Sequence, residues 1–336
     1  MRGRVSWMLA VIVWAIAGAA FAACEPPEMD TALSPLAGEA PVPVTIGVTV
    51  ADVMGVSDEE QRIELDLLLR LDWEDPRLAD LAGCKISADR LWFPPVQIGN
   101  SAQLVQRLAM FRDRAEVGEG GHVHYLQRLT GWVSTYHNLA RFPFDSQQFR
   151  VQFLAPDLGP EDIVLMPGGS GLSKRLNIEG WKVHGVALDA EAREVAALGV
   201  TRSILTLTIA AERVPTYYLW RVLMPLGLVV AMSWVVFWVP PERFEFKMGL
   251  GATAMLTSIA FSLSVAGKLP TLGYLTVMDR MMIWSVLLVF LTMFETLVTG
   301  LMAQNDRAGR AHRIDRAARL VFPLALVAGW LWMVGI

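Results

Sequence analysis

Charge is scarce in this 336-residue sequence. Asp, Glu, Lys and Arg together make up 18%, against about 25% in a typical soluble protein, and apolar residues reach 54%. That balance excludes a disordered chain, a solenoid of polar repeats and a nucleic-acid binder with a basic face. Histidine and cysteine are rarer still, at five and two residues, and no G-x-S-x-G, H-E-x-x-H or paired Cys/His signature occurs. The expectation is a non-enzyme with no cofactor, no metal centre and no nucleic-acid partner. Cys24 and Cys84 allow at most one disulfide, and Cys84, set in a small loop, reads as a lone buried thiol. On that reading disulfides do not organise the fold.

The few charges are sorted along the chain. Residues 1–23 hold two Arg and no acid, residues 24–213 hold 17 basic and 27 acidic side chains, and residues 214–336 hold ten basic and six acidic ones. Arg2 and Arg4 ahead of the apolar run Val5–Phe21, with Ala20-Phe21-Ala22 as a cleavage site, read as a signal peptide over 1–22. Phe21-Ala22-Ala23-Cys24 loosely resembles a lipoprotein box, with Phe where Leu is usual. A Pro-rich segment follows over 23–43.

Residues 44–213 read as β-structure. Ile63, Leu65, Leu67, Leu69, Leu71 and Trp73 alternate with Glu64, Asp66, Arg70 and Asp72; Phe149, Val151 and Phe153, and Leu205, Leu207 and Ile209, repeat the period of two. Gly118–Gly121 and Pro167–Gly171 read as turns, and the absence of interleaved helical patterns predicts an antiparallel immunoglobulin-like sandwich. From Pro215 onward the texture predicts four membrane helices, at about 217–239, 247–267, 278–303 and 317–336, in a domain spanning 214–336. The Arg-rich link 304–316 belongs on the cytoplasmic side, which puts the sandwich and the C-terminus outside the cell membrane. The second helix is unusually rich in Gly, Ser and Thr, as expected of a helix that packs tightly or lines water.

Several motifs, in order, resemble the prokaryotic pentameric ligand-gated ion channels, relatives of the Cys-loop receptors. They are Trp73-Glu74-Asp75-Pro76-Arg77-Leu78, Leu91-Trp92-Phe93-Pro94, Phe142-Pro143-Phe144-Asp145-Ser146-Gln147, Arg213 with Pro225, and Lys268-Leu269-Pro270 with Tyr274. Thr135 and Phe149 stand where eukaryotic members carry the loop cysteines, which is similar to the bacterial members. The resemblance implies a homopentamer in a bacterial inner membrane with the second helix of each subunit around the pore, lined by Glu245, Gly249, Thr253, Leu256, Ala260, Leu263 and Gly267; the acid-rich exterior and five copies of Glu245 predict that monovalent cations pass. Their spacings average close to 3.6 residues, so all seven share one helical face. Lys247, Gly251, Ser258 and Ser262 form a rival, more polar stripe, and periodicity alone does not choose between them.

The resemblance further implies Glu245 as the selectivity ring and Leu256 as an apolar gate. It implies a coupling cluster of Asp75, Asp145 and Arg213, with Phe142, Pro143 and Phe144 pressing on the Lys268–Pro270 link. The agonist is less legible. Tyr125 and Trp132 are candidate ligand-site residues, yet no aromatic residue lies between Trp181 and Tyr217, which argues against a quaternary ammonium agonist. The acid-rich exterior makes protons the alternative to a small agonist. His122 and His124, two apart on a strand, read as exposed rather than metal-binding. A membrane-anchored sensory or adhesion protein is the competing reading.

Overall fold

The structure, a computed structural model, describes residues 24–102, 106–108, 113–174, 176, 178–195, 199–266 and 271–335. The expected signal segment and Gly267, Lys268 and Pro270 lie outside the described residues.

Eleven strands build the first domain: β1 (Val42–Ser57), β2 (Arg62–Glu74), β3 (Lys85–Ser87), β4 (Gln97–Ile98), β5 (Gln106–Leu108), β6 (Arg114–Val117), β7 (His122–Ser134), β8 (Ser146–Leu154), β9 (Ile163–Leu172), β10 (Trp181–Val195) and β11 (Val200–Arg213). One sheet runs β3-β6-β7-β2-β1-β9, with β5 added on β7, and the other runs β10-β11-β8-β4. The alternation seen in sequence closes this sandwich. Leu65, Leu67, Leu69 and Leu71 of β2 meet Phe149, Val151 and Phe153 of β8 and Leu205, Leu207 and Ile209 of β11 in one buried core. Each such side chain contributes about 1.5–3 kcal/mol.

Two local expectations change. Pro167–Gly171 is not a turn but part of β9, which pairs parallel to β1, the one parallel pair among the described strands. Glycine is needed there because a Cβ on Gly168 would stand 2.9 Å from the Gly47 nitrogen. Cys84 is not a lone thiol: it is bonded to Cys24. The bond fastens the N-terminal segment, whose Met29 and Leu36 pack on the sandwich core, to the loop before β3. The same Cys24 sulfur cannot also carry a lipid.

Four helices follow: α1 (Thr216–Trp238), α2 (Phe244–Ala266), α3 (Val277–Gln304) and α4 (Ala308–Gly335), each long and apolar enough to cross a membrane. Thr276 and Asp279 form a reciprocal cap at the start of α3, satisfying donors that an uncapped helix would strand. The last helix starts earlier than the apolar pattern predicts. Residues 308–316 contain no proline, and their single glycine sits in the first turn, so the helix extends through the Arg-rich stretch. Only 305–307 remain as a link, with Asp306 in the left-handed region at φ 54°.

Candidate gating junction and pore face

The two domains meet at Arg213, the last residue of β11. Its side chain is 4% exposed and its guanidinium bridges two carboxylates. The Asp145 oxygens accept from Nε at 2.8 Å and Nη2 at 3.2 Å. Asp58 accepts from Nη1 at 2.8 Å and Nη2 at 3.0 Å. The guanidinium also stacks on Trp181 at 4.1 Å and Phe142 at 4.8 Å. Two carboxylates around one planar fork is the arrangement arginine suits and lysine does not. Burial opposes the Arg213 charge, but the two carboxylates outweigh it and raise the affinity of the guanidinium for its proton.

Asp58 replaces the predicted Asp75. The antiparallel pairing explains why: β2 starts at Arg62, next to the junction, and its other end at Glu74 lies about 40 Å away along the strand. Asp75 is buried at that far end, where it caps the turn Pro76–Leu81 and accepts from Arg77 Nε and Nη2, both at 2.8 Å. The turn between β1 and β2 holds Asp58, and beside Glu59 and Glu60 it looks in sequence like a solvated loop. Its signal was topological: the turn that closes the β1–β2 hairpin lies at the end of the sandwich that carries Arg213.

Asp58 has a second neighbour, the buried His137. Its Nδ1 lies 3.0 Å from Asp58 Oδ1 and its Nε2 2.7 Å from Thr135 Oγ1. Burial would push the Asp58 carboxyl up, but the hydrogen bonds to His137 and Arg213 prevail and hold it below its ordinary value. Stability from such a carboxylate is present above its unfolded pKa and lost as pH falls through the lowered folded value. The stability difference between wild type and Asp58→Asn is therefore expected to stay constant from pH 7 to about 5 and to shrink only below about pH 4. Thermal unfolding against pH measures it. A difference that closes between pH 6 and 5 would show that Asp58 titrates in mild acid.

The loop from 135 to 145 carries the junction to the helices. Phe142 is buried at the top of the helix core beside Met278, with its ring centroid 4.7 Å from that of Tyr218. Phe144 packs with Leu223, Val277 and Met281, and Pro143 is buried between them. The Leu139 nitrogen donates to Tyr274 Oη at 3.0 Å. The Val277 nitrogen donates to the Ala140 carbonyl at 3.2 Å, and the Met278 nitrogen to that of Phe142 at 3.1 Å. The aromatic residues thus grip α1 and the start of α3.

On α2, Glu245, Gly249, Thr253, Leu256, Ala260 and Leu263 all lie on the exposed face of the single chain, with Leu256 and Leu263 at 71% and 70%. The rival stripe turns inward. Lys247 and Ser258 are buried, and Gly251 lies so close to α3 that a Cβ would stand 2.9 Å from Met293 Cγ. The hydroxyls of Thr253, Thr257 and Ser262 donate to the carbonyl four residues back, so they need no partner helix.

The candidate ligand residues are not brought together. Tyr125 is a core residue, 3% exposed with its ring 4.8 Å from Phe93, and Trp132, seven residues on along β7, projects from the other face under the Arg62 guanidinium at 4.3 Å. His122 and His124 are exposed and pair across strands with Glu74 at 3.1 Å and Asp72 at 2.6 Å. Among the described residues no group of three potential metal ligands occurs.

Residues 28–169 match the family model of the neurotransmitter-gated ion-channel ligand binding domain, and residues 222–307 that of the neurotransmitter-gated ion-channel transmembrane region. The chain is 25% identical to a proton-gated ion channel of Gloeobacter violaceus over 301 residues, 87% of this chain and 82% of that protein. An acetylcholine-gated chloride channel subunit of Caenorhabditis elegans is 27% identical over 281 residues, 79% of this chain and 59% of that subunit. A gamma-aminobutyric acid receptor subunit theta of Mus musculus is 24% identical over 302 residues, 87% of this chain and 47% of its own. The chain therefore spans about half the length of these animal relatives. Four membrane-length helices in a chain of this likeness make a multi-pass membrane protein.

Proposed function

Since the chain belongs to the neurotransmitter-gated ion-channel family, whose members are pentameric ligand-gated channels, we propose that it is the subunit of a homopentameric, cation-selective channel. Five copies of α2 surround the pore, and movement at the base of the sandwich, passed through Arg213 and the Phe142–Phe144 loop, opens it. The single observation that carries this reading is the face of α2: the helix buries its lysine, Gly251 and Ser258 in its own bundle and leaves the stripe from Glu245 to Leu263 uncovered. A merely anchoring bundle has no use for that exposed row of Gly, Thr and a carboxylate.

Selectivity follows from charge. Residues 24–213, the Pro-rich segment and the sandwich together, carry ten more acids than bases, so a pentamer holds roughly fifty excess negative charges around its outer entrance. Glu245, in the first turn of α2, makes a carboxylate ring at the other mouth. Lys247 does not oppose it, because its ammonium is buried in an ion pair. The chloride channel among the relatives is the reason selectivity must be measured. In a planar bilayer across a KCl gradient, wild type is expected to reverse near the cation equilibrium potential, and Glu245→Ala to move that potential towards zero. An unchanged potential places selectivity elsewhere. Absence of current in every condition favours a membrane-anchored sensory or adhesion protein.

The agonist is a small molecule or protons. Protons are favoured by the acid-rich exterior and by the likeness to the proton-gated channel of Gloeobacter violaceus. The sandwich faces the periplasmic or extracellular side of a bacterial inner membrane in this reading, as does the end of α4.

A further inference from the structure

Ionisable side chains inside a helical bundle are costly, and here three of them meet at the end of the bundle away from the sandwich. Lys247 of α2 donates through Nζ to Asp315 Oδ1 of α4 at 2.9 Å, and their side chains are 1% and 2% exposed. Glu295 of α3 stands beside both. Its two carboxyl oxygens are closed off from water and have no hydrogen-bond partner, and the second oxygen of Asp315 is in the same position. Thr296 Oγ1, on the next residue of α3, is also buried without a partner.

The charge count does not close. One ammonium cannot balance two carboxylates, and ionised carboxylates only accept hydrogen bonds, so facing oxygens repel unless one of them carries hydrogen. Among the described residues the charged groups acting on Glu295 are Asp315 and Lys247. Arg319, one turn further along α4, is occupied at 2.9 and 3.1 Å by the Phe237 carbonyl of α1. Glu242 and His312 pair outside the bundle at 3.7 Å, half-exposed.

We infer that Glu295 and Asp315 share one proton, forming a proton-binding latch that ties the uncovered helix α2 to the outermost helix α4 through α3. With the proton in place the cluster carries one negative and one positive charge, and the Asp315 oxygen that Lys247 leaves free shares a hydrogen with one oxygen of Glu295. Without it, two negative charges confront one ammonium in a dry site, and α4 is pushed from its neighbours. Leu320, Leu324, Leu331 and Trp332 leave the far face of α4 exposed, while its near face is held by Trp284 Nε1 donating to the Ala325 carbonyl and Trp330 Nε1 donating to Ser285 Oγ, so the repulsion acts at one end of a helix anchored further along. Any effect on conduction rests on the channel reading above, but the proton itself does not.

Infrared spectra of the purified full-length protein in detergent test this without recording current. A carbonyl band of a protonated, water-excluded carboxylic acid is expected at neutral pH, shifted in D2O and lost in Glu295→Gln or Asp315→Asn. The wild-type unfolding midpoint is expected to fall by roughly 3–5 °C between about pH 7 and 10, while Glu295→Gln, which keeps the shape of the protonated acid, starts from the same midpoint and falls less. Absence of the band in wild type overturns the inference, whether or not the variants fold. So does a midpoint that follows Na⁺ or K⁺ concentration rather than pH, which would put a metal cation in the proton's place. A silent channel with the band present would sink the channel reading alone.

Discussion

Arg213→Ala is expected to cost about 3–5 kcal/mol of stability and to abolish opening, because it strands two carboxylates in a buried site. Asp145 is 2% exposed and Asp58 13%, so neither can recover full hydration when the guanidinium goes. The loss also removes the cation stacked on Trp181 and Phe142, the ring through which the sandwich reaches the helices. Arg213→Lys should recover only part of the deficit, since one ammonium cannot serve both carboxylates in a bidentate manner. Adding Asp145→Asn to Arg213→Ala should restore some stability by deleting an unpaired charge, and acid should do the same for the single variant. Thermal unfolding of the solubilised protein and agonist-evoked current are the two readouts. A variant with the wild-type midpoint and normal gating would dismiss the junction.

Leu256→Ser is expected to give a pore that conducts at rest. In the proposed homopentamer a five-fold ring of leucine would narrow the channel with apolar walls, and water confined there would be lost to dewetting, which stops ions without plugging the path. Leu256 sits at mid-helix on the uncovered face, 71% exposed in the single chain, and the serine hydroxyl it would receive keeps water in the constriction. Leu256 belongs to none of the subunit's buried core clusters, so assembly should be little affected. Resting current in the absence of agonist, or activation at lower agonist concentration, is the anticipated record. A silent variant with an unmoved activation curve means that the constriction lies elsewhere.

The features legible in sequence are those with a period. Strands β2, β8 and β11 announced themselves by alternation, because a sheet with one buried face imposes it residue by residue. The membrane helices were legible by length and apolarity, and α4 was misplaced at its start because its first turns carry arginines rather than apolar residues. Pairings between distant elements left no such trace. Asp75 and Asp58 have the same chemistry, and only the direction in which β2 runs decides which of them meets Arg213. Cys24 and Cys84 are 60 residues apart, and nothing in their neighbourhoods shows that the N-terminal segment folds back across the sandwich. The face of α2 was likewise ambiguous until Asp315, from a helix 68 positions further on, claimed Lys247.

The loop at the base of the sandwich is joined to α3 by peptide groups: Val277 and Met278 offer their nitrogens to the carbonyls of Ala140 and Phe142. Such a splice is indifferent to side-chain identity. Alanine scanning across it reads packing and charge but leaves these two bonds intact, so the positions in between will look more tolerant than the mechanical link they form. In the proposed channel the aromatic residues around the splice can therefore vary, and with them the sensitivity of the response, while the main chain would go on transmitting the movement.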